Sequence, residues 1–112
     1  MSRHSDLVRL RHMLDHAREA VALVAGKDRT DLANTRLLQL GLVRLVEIIG
    51  EAAARVSKDE RERCPTIPWD DVVGMRNKLI HGYDLIEFAV VFDTVKVDLP
   101  PLVAQLDAII GG

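Results

Sequence analysis

An apolar stripe in the middle of the chain is the strongest constraint on its fold. The stripe repeats at spacings of four and three residues, the period of a helix that packs along one side. Its members are Leu38, Leu42, Leu45, Ile49, Ala52 and Val56. The spacing predicts a long helix over residues 31–56, and a matching stripe over residues 7–24 predicts another helix that Ser5 can cap and Gly26 can end. We expect these two helices to pack as an antiparallel pair.

Proline and capping residues indicate three further helices. Two prolines predict an extended linker, and the second, Pro68, suits the first turn of a third helix that runs to about His81. Asp84 can cap a fourth helix, and Asp98 can cap a fifth. No segment combines strand-like alternation with turn residues. The predicted fold is therefore all-α, one domain over residues 1–112 that forms an antiparallel bundle of four to five helices.

The second predicted helix is apolar on more than one side. Large apolar residues off its main stripe are Leu37, Leu40, Val43, Val46 and Ile48. A chain of 112 residues can cover only part of such a helix within one subunit. We therefore expect a homodimer.

Composition and charge exclude several classes of protein. The chain is 48% hydrophobic and 29% charged, which is ordinary for a globular domain. Its net charge is −2, with 12 basic against 10 acidic side chains in residues 1–63 and 3 against 7 in residues 64–112. No global positive field attracts nucleic acid, so RNA would have to bind a local patch, and DNA binding is not expected. An aromatic content of 4% argues against a stacking platform for single-stranded bases.

The cysteine and histidine content predicts neither a disulfide nor a metal site. Cys64 is the single cysteine, which excludes an intrachain disulfide and a cysteine-rich zinc site. His12 and His16 have the i, i+4 spacing that can bind a metal, but no third ligand is evident. The chain has no apolar core of signal-peptide length at its start and no apolar run near about 18 residues, so we expect a cytoplasmic protein without a membrane span.

The chemistry of the chain is concentrated in a short segment that contains Arg76 and His81, five residues apart. His81 titrates near neutral pH and suits general acid–base work. Arg76 offers fork-shaped donors for negative charge on a phosphate. Each residue also has a structural interpretation, because Arg76 could pair with Asp71 or Glu87 and His81 could interact with a helix C-terminus. The spacing alone leaves both interpretations open.

The segment Arg76-Asn77-x-x-x-His81-x-Tyr83 resembles the RxxxxHxY motif of HepT-type toxins, a branch of the HEPN family of small helical ribonucleases. The similarity extends over nearly the whole chain. It includes residues 48–53, Val56-Ser57, Pro65, Pro68-Trp69 and Leu99-Pro100. This ordered set is more specific than an arginine and a histidine alone.

The resemblance implies a HEPN-like bundle that acts as a metal-independent endoribonuclease, the toxin of a toxin–antitoxin module, without a cofactor. Arg76 and His81 would form the catalytic pair at a dimer cleft, with Asn77 and Tyr83 in the pocket. The RNA 2′-hydroxyl would attack the adjacent phosphate and leave a cyclic phosphate. The implied partner is an MNT-type nucleotidyltransferase antitoxin, which would modify Tyr83 with AMP. Without the resemblance, Tyr83 would be interpreted as a hydroxyl packed against the bundle.

A polar row crosses the second predicted helix at spacings of three and four residues. Its members are Arg44, Glu47, Glu51 and Arg55. One interpretation is a set of ion pairs within the helix. The other is that the row lines the active cleft, with Glu51 orienting Arg76 or His81, since similar proteins also carry a glutamate at this position.

Two alternatives to an enzyme stay open on the sequence. The chain could be a HEPN-like module without nuclease activity that partners a nucleotidyltransferase. It could also be a plain dimeric bundle whose polar row serves packing. The intact set of Arg76, Asn77, His81 and Tyr83 favours the enzyme, since a scaffold need not keep all four residues.

Overall fold

The structure is a computed structural model that describes residues 3–79 and 87–111. Every regular element in these ranges is helical, which confirms the predicted all-α fold. The α-helices are α1 (Arg3–Val24), α2 (Arg29–Asn34), α3 (Arg36–Ala54), α4 (Lys58–Arg63), α5 (Trp69–Val73), α6 (Met75–Leu79), α7 (Phe88–Asp93) and α8 (Leu99–Ile110). A π-helical segment, Thr94–Asp98, joins α7 to α8. In the ranges given above, no helix is both long and apolar enough to cross a membrane.

The two longest helices, α1 and α3, pack against each other in opposite directions. The start of α1 lies beside the end of α3, because Asp6 accepts hydrogen bonds from Ser57. The end of α1 reaches the first half of α3, where Leu23 Cδ1 lies 3.7 Å from a Cβ placed on Gly41. α8 also packs along α1. The antiparallel pairing that the two apolar stripes predict is confirmed.

The predicted stripe of α3 is buried along its whole length, from Leu38 to Val56. The predicted stripe of α1 is buried at Leu10, Leu14, Ala17 and Val24 and partly buried at Val21. The prediction is wrong for Leu7, which is 41% exposed. Because α1 contacts both α3 and α8, its buried surface is wider than one stripe and also includes Met13 and Ala20.

A buried carboxylate connects α1 to the start of α4. The Ser57 amide donates to Asp6 Oδ1 at 2.8 Å, and the Ser57 hydroxyl donates to Asp6 Oδ2 at 2.7 Å. The same hydroxyl accepts a hydrogen bond from the Glu60 amide and so caps α4. The hydrogen bonds from Ser57 hold the pKa of Asp6 below its usual value, although burial acts in the opposite direction.

The second helix is not continuous, and the prediction of one helix over 31–56 is wrong. Thr35 has an extended backbone (φ −125°, ψ 100°) between α2 and α3. α2 begins early because Asp28 and Asp31 form a reciprocal capping box. Two carbonyl oxygens of α2 accept hydrogen bonds from the Gln39 side chain at 3.0 and 3.1 Å. Side chains thus provide hydrogen-bond partners for backbone groups that the break would otherwise leave unpaired.

The third predicted helix, over residues 68–81, is divided at Gly74 into α5 and α6. The backbone turns tightly there, since a Cβ on Gly74 would lie 3.0 Å from the Asp70 carbonyl oxygen. The predicted end of this helix at His81 and the predicted cap at Asp84 lie outside the described residues. The sequence pattern located α5 and α6 but not the turn between them.

Trp69 fixes the start of α5 against the rest of the bundle. Its ring is partly buried against the core, and its Nε1 donates to the Cys64 carbonyl oxygen at 3.0 Å. The Arg61 guanidinium lies 5.6 Å from the centroid of the ring, in the range of a cation–π contact. These contacts anchor the linker before α5 and hold α5 and α6 beside α3.

The predicted cap at Asp98 is wrong, because the π-helical segment runs directly into α8. Asp98 has a helical backbone, and its side chain makes no capping hydrogen bond. Pro100 and Pro101 lack amide hydrogens, so neither can donate to the carbonyl four residues earlier. A wider turn, in which the Leu99 amide donates to the Thr94 carbonyl, accommodates that loss.

Candidate active site

Gly50 sets how closely α3 approaches α5 and α6. The residue is buried in α3. A Cβ placed on it would lie 3.4 Å from the Val72 carbonyl oxygen, 3.5 Å from the Val73 carbonyl oxygen and 3.9 Å from the Arg76 amide nitrogen. The backbone of α3 therefore meets the backbone at the α5–α6 junction without an intervening side chain. This contact holds the first turn of α6, which carries Arg76.

Arg76 and Asn77 are both exposed on α6. Neither Asp71 nor Glu87 pairs with Arg76, although the structure describes both of them. The side chain of Arg76 forms no ion pair or hydrogen bond with another described residue. The described part of the structure therefore fixes the backbone of Arg76 on α6 and gives its guanidinium no partner.

His81 and Tyr83, the other two residues of the predicted site, lie outside the described residues. Their roles stay predictions from the sequence. The structure places Arg76 and Asn77 next to each other on α6 and brings that helix to the part of α3 that contains Glu51. It does not test the distance from Arg76 to His81.

Glu51 is half-buried on α3, and its partner in the described residues is Arg44. Arg44 Nη1 lies 3.9 Å from Glu51 Oε1 and 3.9 Å from Glu47 Oε2. These separations are at the upper limit for an ion pair, and the side chains are largely exposed, so each pair contributes little stability. Arg55, the last member of the polar row, forms no ion pair with a described residue. Ion pairing therefore accounts for only part of the row.

Glu51 also lines a shallow groove of about 120 Å³ between α1 and α3. The groove is lined by Arg9, His12, Ile48, Glu51, Ala52 and Arg55. The Nε atom of Arg9 is buried and has no hydrogen-bond partner among the residues that the structure describes. Glu51 follows Gly50 directly in the chain, so this groove and the backbone of Arg76 lie against consecutive residues of α3.

His12 and His16 interact with each other within α1. His16 Nδ1 donates to the His12 carbonyl oxygen at 2.6 Å, and the two rings meet edge to face with centroids 6.1 Å apart. Across the part of the chain that the structure describes, no three histidine, cysteine or acidic side chains are grouped so that they could hold a metal ion. His12 instead contributes to the α1–α3 groove.

A roomier cavity of about 380 Å³ lies on the other side of Met75, between α5 and α8. Asp71 and Asp98 are the charged residues that line it, above apolar side chains such as Val72. Among the described residues no cation lines this cavity, and the two carboxylates repel a phosphate. This cavity therefore does not suit an RNA backbone, whereas the groove between α1 and α3 contains two arginines.

Arg9 is the residue of this region that sequence reasoning missed. Arg9 lies beside the apolar stripe of α1, where charged residues on a helix surface are common, so its position in the sequence gives no sign of a function. No spacing within the sequence connects it to Arg55, which is far away in the chain. Only the antiparallel packing of α1 on α3 brings the two arginines to one groove.

Comparison with known proteins identifies relatives over most of the chain. A family model described as Ribonuclease HepT-like matches residues 13–109. A Methanocaldococcus jannaschii protein named Putative RNase is 30% identical over 109 residues, which cover 97% of this chain and 100% of the relative. A Thermococcus cleftensis protein named Probable ribonuclease HepT is 34% identical over 98 residues, which cover 84% of this chain and 89% of the relative. No solved structure gives a significant match.

Proposed function

The chain belongs to the HepT-like ribonuclease family, and we propose that it is a metal-independent endoribonuclease that acts as the toxin of a toxin–antitoxin module. The observation that carries the proposal is the state of Arg76, which is exposed, has no ion-pair partner in the described residues and is positioned through the Gly50 contact. The family match also spans the whole segment from Arg76 to Tyr83.

In the proposed reaction, the RNA 2′-hydroxyl oxygen attacks the adjacent phosphorus, and the bond from phosphorus to the 5′-oxygen breaks. The products are a 2′,3′-cyclic phosphate and a free 5′-hydroxyl. His81 carries the proton between the attacking and leaving oxygens as general base and then general acid. Arg76 stabilises the charge that develops on the phosphorane oxygens, and Asn77 holds one of those oxygens with its amide.

The proposed enzyme is a homodimer in which two copies of each catalytic residue face one cleft. Leu37 and Leu40 support this proposal, because they are 82% and 50% exposed and lie three residues apart on α3. Two large apolar side chains on one side of a core helix are typical of a surface that another subunit covers. The same helix carries Gly50 and Glu51 about three to four turns further on, so a subunit contact that continued along α3 would bring the two candidate sites towards the dimer axis.

The proposed partner is a nucleotidyltransferase antitoxin that transfers AMP to the Tyr83 hydroxyl from ATP, with release of pyrophosphate. A nucleotide phosphate two residues beyond His81 would place negative charge where the RNA backbone must lie, and it would repel the substrate. Incubation with the cognate nucleotidyltransferase and ATP should raise the mass of the peptide that contains Tyr83 by one AMP. A Tyr83→Phe variant should stay unmodified, and an unchanged mass of the wild-type peptide would contradict this part of the proposal.

Cleavage of cellular RNA by the purified protein in EDTA tests the central proposal. The wild type should cut RNA and leave cyclic phosphate ends, while Arg76→Ala and His81→Ala should each lower the rate by at least about 100-fold, as expected for loss of a charge-stabilising or general acid–base group. Arg18→Ala, which removes an exposed arginine of α1 that pairs with Asp107, is the control and should cut at the wild-type rate.

Two outcomes would overturn the proposal. Equal cleavage by the wild type and both variants would mean that the activity belongs to another site or a contaminant. Absence of cleavage by wild-type protein whose Tyr83 is shown by mass spectrometry to be unmodified would favour a binding module that partners a nucleotidyltransferase without cutting RNA.

A further inference from the structure

The arginines of this chain fall into two groups according to their partners. Those held by another protein group are Arg18 with Asp107, Arg29 with Asp93, Arg36 with Gln39, Arg44 with Glu47 and Glu51, Arg61 with carbonyl oxygens near the end of α3, and Arg63 with Glu60. Those that form neither an ion pair nor a hydrogen bond within the described residues are Arg3, Arg9, Arg11, Arg55 and Arg76. The second group is not spread evenly over the molecule.

The unpaired arginines lie at one end of the bundle. The hydrogen bonds between Asp6 and Ser57 bring the first turns of α1 to the end of α3, which carries Arg55. The Gly50 contact brings the start of α6, with Arg76, to the same part of α3. Arg9 and Arg76 therefore lie on two sides of the last turns of α3, and Arg55 lies at their end.

In the groove between α1 and α3, the Arg9 side chain has no hydrogen-bond acceptor among the described residues. Its Nε is buried and has no hydrogen-bond partner among the described residues, so no described acceptor holds the guanidinium away from the groove that Arg9 lines. The one carboxylate that lines the groove, Glu51, has Arg44 as its neighbour. With Arg9 and Arg55 present, the lining carries two cations against one anion, and His12 adds a ring nitrogen that can donate a hydrogen bond.

We propose that this groove binds a backbone phosphate of the RNA strand outside the cleaved bond, with Arg9 and Arg55 as the binding residues. The proposal rests on the ribonuclease function and extends the substrate contact from Arg76 on α6, across the end of α3, to α1. It assigns a second phosphate site to Arg9 and Arg55, two residues that the proposed reaction does not use. The acidic cavity beside Met75 is excluded from this path by the charge of Asp71 and Asp98.

The number of ions released on binding tests this site without any cleavage. A single-stranded 2′-O-methyl oligoribonucleotide keeps every phosphate, but it lacks the nucleophile and cannot be cut. Affinity falls as salt concentration rises, and each phosphate contact on a single strand steepens the slope of log affinity against log salt concentration by about 0.7. Arg9→Gln and Arg55→Gln should each reduce that slope by about 0.7 and weaken binding at low salt.

Arg11→Gln is the matched control for Arg9→Gln. It removes the same charge from the same helix, but two residues of α-helix correspond to a rotation of about 200°, and Arg11 does not line the groove. Its salt slope should equal that of the wild type. Circular dichroism must show equal helix content in all variants, and Arg9→Lys, which restores a positive charge, should recover most of the lost slope.

The experiments can reject the second phosphate site and the ribonuclease function independently of each other. Wild-type slopes in both Arg9→Gln and Arg55→Gln would overturn the second phosphate site even if the protein cuts RNA. An equal reduction of the slope in Arg11→Gln would also overturn the site, because the loss of any positive charge would then weaken RNA binding in the same way. If Arg9→Gln and Arg55→Gln reduce the slope but the wild type does not cleave RNA, the second phosphate site is supported and the proposed ribonuclease function is wrong.

Discussion

Gly50 on α3 lies against the backbone of Arg76 on α6, and a Cβ at Gly50 would come within 3.9 Å of the Arg76 amide nitrogen. The same Cβ would lie 3.4 Å from the Val72 carbonyl oxygen, so the two backbone segments are separated by little more than van der Waals contact. A glycine at this point lets a core helix support the candidate catalytic helix directly. The position of Arg76 is thus determined by packing as well as by the motif that contains it.

Gly50→Val should separate α3 from α6 and lower RNA cleavage by at least tenfold. The added γ-methyl groups cannot be accommodated by the Val72 and Val73 carbonyls, since backbone cannot rotate away as a flexible side chain does, and overpacking of this kind typically costs about 1–3 kcal/mol. The cleavage rate and the midpoint of thermal unfolding should both be measured.

Gly41→Val is the control for that substitution, because it lies on the same helix and carries the same cost in helix propensity. A Cβ on Gly41 meets only Leu23 Cδ1, at 3.7 Å, and that side chain can move. Cleavage by Gly41→Val should stay near the wild-type rate. Equal losses of activity in the two variants would contradict a specific role for the Gly50 contact.

Glu51→Gln tests whether this carboxylate orients the catalytic residues. We expect kcat for RNA cleavage to fall about tenfold, because a positioning residue acts through another group, with KM unchanged or lower because a negative charge leaves the groove. Glu47→Gln is the control, since Glu47 lies on the same helix and approaches the same Arg44 Nη1 at 3.9 Å. A similar fall in kcat in both variants would assign the effect to Arg44 instead.

Leu37→Glu and Leu40→Glu should convert a dimer into a monomer. The substitutions place a charge on the apolar surface of α3 that we propose as the subunit contact, and a buried unpaired charge is costly. Sedimentation equilibrium should give the mass of one chain for each variant and of two chains for the wild type. Val97→Glu is the control, because Val97 is also exposed, at 67%, but lies away from α3. A monomeric wild type would contradict the proposed contact.

Asp6→Ala should lower the free energy of unfolding at pH 7 by about 1–3 kcal/mol, because it leaves the amide and hydroxyl of Ser57 without a buried acceptor. The folded-state pKa of Asp6 lies below the usual value of 3.8, so its stabilisation is present above about pH 4 and is lost as the pH falls through the folded-state pKa. The difference between wild type and Asp6→Ala should therefore shrink in chemical unfolding experiments at pH 3.

Asp15→Ala supplies the comparison for this pH dependence. Asp15 is exposed on the same helix, and its removal should change the free energy of unfolding by no more than about 0.5 kcal/mol at either pH. A difference between wild type and Asp6→Ala that stayed constant down to pH 3 would show that the ionised carboxylate is not the stabilising form.

The sequence alone determined the all-α class and the antiparallel pairing of α1 and α3, and it located the segment with Arg76 and Asn77 that we propose as part of the site. Each of these depends on information within one or two turns of helix: the period of the α3 stripe, the glycine after α1 and the spacing of the motif. A buried stripe such as Leu38 to Val56 must face a partner wherever the helix lies, which is why the pattern and the structure agree along its length.

The tertiary structure determined where the second helix breaks and which residues from distant segments come into contact. Thr35 interrupts the second helix, and the Gln39 side chain satisfies carbonyl oxygens that the break exposes. No periodicity in the sequence predicts that side-chain contact. Likewise, the need for glycine at position 50 follows from backbone atoms of Val72 and Arg76, far along the chain. Contacts between distant segments depend on how whole helices pack, so the path from Arg76 to Arg9 could be found only once α1, α3 and α6 were assembled.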